Sequence, residues 1–244
     1  MRPAARAEEV LCNPLSPAAG TVTACMLTAR EGKPRYDFCI ENERGSHYAC
    51  SAFLHEAKGE EGARYTIRLG QVDQTVVGGE TFCSSLDCSV DNKRYTFNDD
   101  PSNFHSYPRE LGAAIVSGNH FCVLLPRVDA DGAAAQFRVL KPEESIVTRF
   151  FAGQAREHLM MLSGPWAPTE GEEIALVHLN TDSQQRGDVV FRARGHGDQI
   201  LVDFVSPISA FQVKCLTAIA SGKAFCIALA LVHHAQYVSR VVEE

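Results

Sequence analysis

Leu111–Leu125 reads Leu-Gly-Ala-Ala-Ile-Val-Ser-Gly-Asn-His-Phe-Cys-Val-Leu-Leu, and Cys215–Leu229 reads Cys-Leu-Thr-Ala-Ile-Ala-Ser-Gly-Lys-Ala-Phe-Cys-Ile-Ala-Leu. At an offset of 104 residues, Ala114, Ile115, Ser117, Gly118, Phe121 and Cys122 fall on Ala218, Ile219, Ser221, Gly222, Phe225 and Cys226. Tyr107 falls on Phe211, and Asp99 on Asp203. Upstream a weaker match continues at an offset of 109. Glu61-Gly62 falls on Glu170-Gly171 and Asp73 on Asp182, with the strand-like run Tyr65–Asp73 lying against Ile174–Asp182, although Leu69 against His178 does not support it. The five-residue difference places an inserted loop around Cys83–Cys88 in the first copy. Two blocks in order with one gap predict a duplication, and only two copies predict a domain pair rather than a solenoid.

Around these blocks the chain reads as β-rich. Thr21–Ala29 and Arg35–Glu41 flank the glycine-bearing turn Arg30-Glu31-Gly32-Lys33, a hairpin signal. Tyr48–His55 and Arg64–Val72 read as further strands. So do Leu159–Leu162, Ile174–Leu179, Val189–Ala193 and Gln199–Val205 in the second copy. Pro108–Val116 and Phe211–Ala220 then carry small and apolar residues near helical spacing. Each is followed by a glycine, Gly118 or Gly222, of the kind that ends helices. A buried, strand-length apolar run follows each. The expected fold is mainly β with short helices (α+β): two tandem, related antiparallel β-sheet domains, 8–140 and 141–244, each with one covering helix. At the join, Lys141-Pro142-Glu143-Glu144 has the chemistry of a helix start, with Ile146, Phe150 and Phe151 forming a short apolar face. The competing reading starts the second domain's first strand at Thr148–Phe151.

The 244 residues are 45% hydrophobic and 22% charged with a net charge of −7, the balance of a folded globular chain. The cations are scattered, so nucleic acid is not an expected partner. No apolar run approaches the ~20 residues that span a bilayer as a helix. The best, Phe225–Val232, fits a buried strand.

Six of the nine cysteines come early: Cys12, Cys25, Cys39, Cys50, Cys83 and Cys88. They read either as disulfide partners in an oxidising compartment or as buried thiols or metal ligands in a reducing one. No Cys-x2-Cys spacing occurs, which favours disulfides over zinc. Ala5-Arg6-Ala7 before Glu8 fits the small-x-small pattern of a signal-peptidase site, but the apolar stretch that should precede it is missing. An ordinary chain terminus is the other reading.

Asp37-Phe38-Cys39, Cys50, Gln71-Val72-Asp73 and Phe82-Cys83-Ser-Ser-Leu-Asp-Cys88, together with Leu111–Gly118, resemble the invasion-associated locus B family of bacterial envelope proteins over roughly 34–125. Tyr36 stands near the place of that family's tryptophan-rich start, and Asp87 replaces its usual glycine. The resemblance implies a periplasmic or secreted β-rich domain with no known cofactor and no particular reaction. It also implies the pairings Cys83–Cys88 and Cys39–Cys50, with Cys12–Cys25 as the remaining early pair. Cys122 and Cys226, in matching apolar runs, are expected to be buried thiols, and Cys215 is left over.

Catalytic candidates are few. His120 and Cys122 share a face if they lie in a strand, but Ala224 replaces the histidine in the other copy and the flanks are apolar, so core packing is the preferred reading. His233-His234 in a strand would face opposite ways and chelate one metal poorly, which suits a surface pair. His196 sits in a glycine turn. Asn98-Asp99-Asp100 and Asp129-Ala-Asp131-Gly132 also read as turns, not as the twelve-residue loop of calcium hands. Nucleophile-elbow and phosphate-loop patterns are absent. No catalytic, metal or cofactor site is therefore expected. Trp166, in Gly164-Pro165-Trp166-Ala-Pro168, and the pair Phe150 and Phe151 are candidate contacts for another protein or for the domain join. The expected function is a non-enzymatic extracytoplasmic binding protein of the bacterial envelope. The alternatives are a structural subunit of a larger assembly, and a hydrolase or thiol enzyme with a cleft between the copies that exposes His120 or His158.

Overall fold

Alternating apolar and polar side chains recur from Val22 to Phe204, and the strands that carry them join one sheet rather than two. The computed structural model describes residues 21–28, 35–55, 62–68, 82–98, 109–127, 137–139, 141–154, 156–165, 173–179, 186–196, 199–205, 212–214, 219–221 and 226–234. The strands are β1 (Val22–Thr28), β2 (Arg35–Asn42), β3 (Gly45–His55), β4 (Arg64–Arg68), β5 (Phe82–Cys88), β6 (Arg94–Asn98), β7 (Arg109–Ser117), β8 (His120–Pro126), β9 (Phe137–Arg138), β10 (Leu159–Pro165), β11 (Ile174–Leu179), β12 (Arg186–His196) and β13 (Gln199–Phe204). All described pairings are antiparallel, in the order β6-β5-β4-β3-β2-β1-β13-β12-β11-β10-β8-β7, and β6 pairs again with β7. That last pairing closes a ring of twelve strands, with β9 attached as a branch on β7. A closed ring leaves no open sheet edge.

The two-domain expectation is overturned by this ring. Strands from both sides of residue 140 share one wall, joined where β1 pairs with β13 (Val22↔Phe204 to Leu27↔Gln199). The two covering helices are not present as predicted. Pro108–Val116 is largely strand β7, because Gly112 and Ala114 supply a lumen-facing side that must be small, not a helical face. Gly118, at φ 57°, turns β7 into β8 instead of ending a helix. In the second matching block, 212–214 and 219–221 pair as a separate two-stranded ribbon (β14, Gln212–Lys214; β15, Ile219–Ser221). Residues 226–234, expected as a strand, form a helix. The matched blocks thus fold differently.

That helix fills the barrel. Cys226, Ile227, Ala228, Leu229, Ala230 and Leu231 are six successive residues, each at most 5% exposed. A helix buried on every side is surrounded. Its neighbours in the core come from around the ring: Met26, Phe38, Tyr65, Leu86, Phe121, Leu162, Phe191 and Val202 among them. Small lumen-facing residues such as Ala24, Ala52, Ala114 and Ala193 leave room for it. The outer face carries Arg64–Asp87, Arg192–Glu173 and Arg194–Asp203 ion pairs. Apolar inside and charged outside is the reverse of a barrel facing lipid. No described helix is long and apolar enough to cross a membrane.

A second, smaller core lies outside the wall. Ala113, Leu124 and Leu159 point outward and are covered by Phe137 and by Ile146 of the short helix Ile146–Phe151. A helix does stand at this join, not a strand, but it starts later than Lys141–Glu144. Pro142–Glu144 form a 3-10 turn, and the α-helix is capped by Ser145, which accepts a hydrogen bond from the Thr148 amide. The buried Glu110 accepts another from the Ile146 amide at 2.5 Å.

Candidate functional site

A connected polar cluster sits at one rim of the barrel, where the inner helix ends. The β5–β6 turn, residues 89–93, puts Asn92 in the left-handed region at φ 49°, a conformation asparagine tolerates better than most side chains. Its carbonyl oxygen accepts from the Tyr95 hydroxyl and from His234 Nδ1, both at 2.8 Å. Its side-chain Oδ1 meets His233 Nε2 at 2.8 Å. Tyr65, on β4, meets His233 Nδ1 at 2.7 Å. One tautomer satisfies all of this: Tyr65 donates to Nδ1, and Nε2–H donates to Asn92. Rings reinforce the contact, with Tyr65 edge-on to His233 at 5.5 Å and Tyr95 edge-on to His234 at 6.4 Å. The pair expected at the surface is therefore the clasp that fixes the inner helix to the wall. Being on a helix, not a strand, is what lets both histidines face one turn.

Burial, opposed by the hydrogen bond to Asn92 and joined by the Lys93 charge, holds the His234 pKa below its ordinary value. The folded state then binds fewer protons than the unfolded chain. The stability that neutral His234 contributes is present above about pH 6.5 and is lost as pH falls from there through its depressed folded value. Thermal unfolding followed from pH 8 to pH 5 should show the midpoint dropping, and His234→Gln should flatten that part of the profile. Tyr65→Phe removes the donor to His233 and should lower unfolding free energy by about 1–2 kcal/mol in urea titrations. An unchanged midpoint would mean the clasp does not hold in solution.

A second cluster lies on the outer wall. Cys25 on β1 stands directly opposite Cys39 on β2. Cys25 Sγ donates to Glu41 Oε1 at 3.0 Å and lies 3.8 Å from Ser46 Oγ. Burial, with the Glu41 contact, pushes the Cys25 thiol up to about 12, and burial raises Cys39 as well. Next to it, Ser51 donates to Asp37 at 2.5 Å and meets Tyr48 at 2.8 Å, with Arg35 on Asp37 at 3.0 Å.

The disulfide candidates separate on this frame. Cys25, Cys39, Cys50 and Cys88 are thiols in the structure. Cys12 and the Cys83 side chain lie outside the described residues. Cys83 and Cys88 occupy one extended strand, β5, and five residues of strand separate Cα atoms by ~16 Å, far beyond bridging reach. Cys39 faces outward while Cys50, opposite Phe38, packs in the lumen core, so that pair is split by the wall. Neither Cys83–Cys88 nor Cys39–Cys50 therefore arises from these strands, and Cys12–Cys25 involves a residue outside the described ones.

Of the interaction candidates, Trp166 lies outside the described residues. Phe150 packs on the outer core and stacks edge-on with Phe151 at 5.7 Å, while Phe151 is 67% exposed. His120 and Cys122 do share the outer face of β8, but burial pushes the Cys122 thiol up to about 11, the opposite of an activated nucleophile. His120 and His158 are exposed, with no domain cleft between them, and His158 is 3.3 Å from Glu157. The His196 side chain and residues 129–132 lie outside the described residues. Among the described residues, no group of three or more potential ligands is placed to hold a metal. The sequence reading missed Asn92 and Tyr65; the Asp91-Asn92 dipeptide, a turn signal, was the local cue for the first.

No protein-family model matches the chain, and a search of curated proteins finds no match.

Proposed function

We propose that this is a binding protein of the bacterial envelope that engages another protein through its outer wall and rims. One observation carries the reading: the lumen, where barrels of this kind hold a ligand, is occupied by the chain's own helix 226–234. What is left for recognition faces outward. A cleft of about 290 Å³ lies between the β5–β6 wall and the short helix, bounded by Asp87, Arg94, Thr96, Ser145 and Thr148. Another of about 260 Å³ lies at the β12–β13 wall beside Arg192, Asp203 and Val205. Both mix polar and apolar lining, as protein-contact surfaces do. The envelope setting rests on the family resemblance of residues 34–125.

The test is co-sedimentation of the purified protein with washed bacterial envelopes. Saturable binding that unlabelled protein competes away, and that protease treatment of the envelopes abolishes, is the expected result. Binding that does not saturate, or that survives the protease, overturns the proposal.

A further inference from the structure

We infer that Cys25 and Cys39 form a cross-strand disulfide, a covalent site that joins β1 to β2 on the outer wall. The two residues are register partners, flanked by Ala24↔Ile40 and Met26↔Phe38. Directly opposed residues in an antiparallel pair have Cα atoms about 4.5 or 5.5 Å apart, and both spacings fall within the range that disulfides bridge. Directly opposed side chains also share a face. Here it is the outer one, because Ala24, Met26 and Phe38 belong to the lumen core while Cys25 and Cys39 do not. Both cysteines are free thiols in the structure, so closing the bond begins with rotation of the two side chains toward each other. The inference rests on this register alone and is independent of the binding role.

Oxidation proceeds by exchange with a small-molecule disulfide such as glutathione disulfide, or with a protein disulfide of the same chemistry. Cys39, at 8% exposure against 3% for Cys25, is the more accessible and reacts first. It loses its proton to solvent, its sulfur attacks one sulfur of the glutathione disulfide, and one glutathione thiolate leaves. Cys25, whose thiol donates to Glu41 Oε1 at 3.0 Å, then loses its proton to hydroxide from solvent. The Cys25 sulfur attacks Cys39 and expels the second glutathione thiolate. Two protein thiols are oxidised, one glutathione disulfide is reduced to two thiols, and the Cys25–Cys39 bond is the product. Burial and the adjacent carboxylate both oppose the thiolate, so closure is slow at neutral pH and quickens as pH rises.

The full-length protein is incubated with glutathione disulfide, its remaining thiols are blocked with iodoacetamide, and it is digested with trypsin without reduction. Cys25 lies in the peptide 7–30, Cys39 in 36–44 and Cys50 in 45–58. The expected product is 7–30 linked to 36–44. Because 7–30 also contains Cys12, the link must persist in Cys12→Ser and vanish in Cys25→Ser. Oxidised protein should also melt about 5–10 °C above reduced protein, a difference absent from Cys39→Ser. A 36–44 to 45–58 link, a link that vanishes in Cys12→Ser, or full alkylation of Cys25 and Cys39 after oxidation overturns the inference.

Discussion

Gly164→Ala is expected to lower unfolding free energy by about 3 kcal/mol or more, a large fraction of the stability of an ordinary domain. A Cβ at Gly164 would stand 2.0 Å from the carbonyl oxygen of Ala175 and 3.0 Å from its carbonyl carbon. Those are backbone atoms of β11, so no side chain can swing aside. Overpacking a core usually costs about 1–3 kcal/mol. In a closed ring the displaced strand is held on both sides, by β10 and by β12, which puts this site at the upper end. Gly195→Ala is the matched control: a Cβ there meets nothing within 4 Å. It should stay within about 0.5 kcal/mol of the parent. Urea titration followed by circular dichroism measures both, and equal midpoints would refute the close approach of β10 to β11.

Ala230→Asp is expected to cost about 4 kcal/mol at neutral pH. Ala230 is fully buried in the middle of the inner helix, with apolar wall around it. A carboxylate there is an uncompensated charge in a dry interior, and it escapes only by taking up a proton. The deficit should therefore shrink as pH is lowered toward 5, the opposite trend to the His234 effect. Leu229→Ala, at a position 1% exposed, removes packing without adding charge and should cost about 3 kcal/mol at any pH. If residues 226–234 lay on the surface instead, both substitutions would fall within about 0.5 kcal/mol of the parent. Denaturant midpoints at pH 7.5 and pH 5 decide between these outcomes.

Strand positions were legible where a run alternated, as in Arg35–Glu41, or was short, apolar and bounded by polar turns, as in Ile174–Leu179 and Gln199–Val205. Closure was not. Nothing local to Val22 or Phe204 says that they pair. Arg109–Ser117 misled because Gly112 and Ala114 are small to leave room in the lumen, and small residues in series imitate a helix. Phe225–Val232 misled in the other direction. An unbroken apolar run has no period, and only its leucines and alanines, good helix formers, pointed the right way. Phe121-Cys122 and Phe225-Cys226 match in sequence for a weaker reason than common shape: each stretch has only to be apolar and enclosed. The clasp was out of reach because its members are 168 residues apart for Tyr65 and His233 and 141 for Asn92 and His233. The opposition of Cys25 and Cys39, by contrast, is a property of the hairpin read at Arg30–Lys33, and register was the missing step.

The seam between β1 and β13, where Thr23 donates to Asp203 across 180 positions at 2.6 Å, sets the tempo at which this molecule can mature. Contacts so distant in sequence make for slow folding. A chain emerging from the ribosome cannot complete its ring until almost every strand has been synthesised, and until then it displays an unpaired edge and a sticky concave side. The plug comes later still in the order of synthesis. Interrupted translation therefore yields a wall with nothing to fill it, a species that chaperones or proteases must handle before it aggregates.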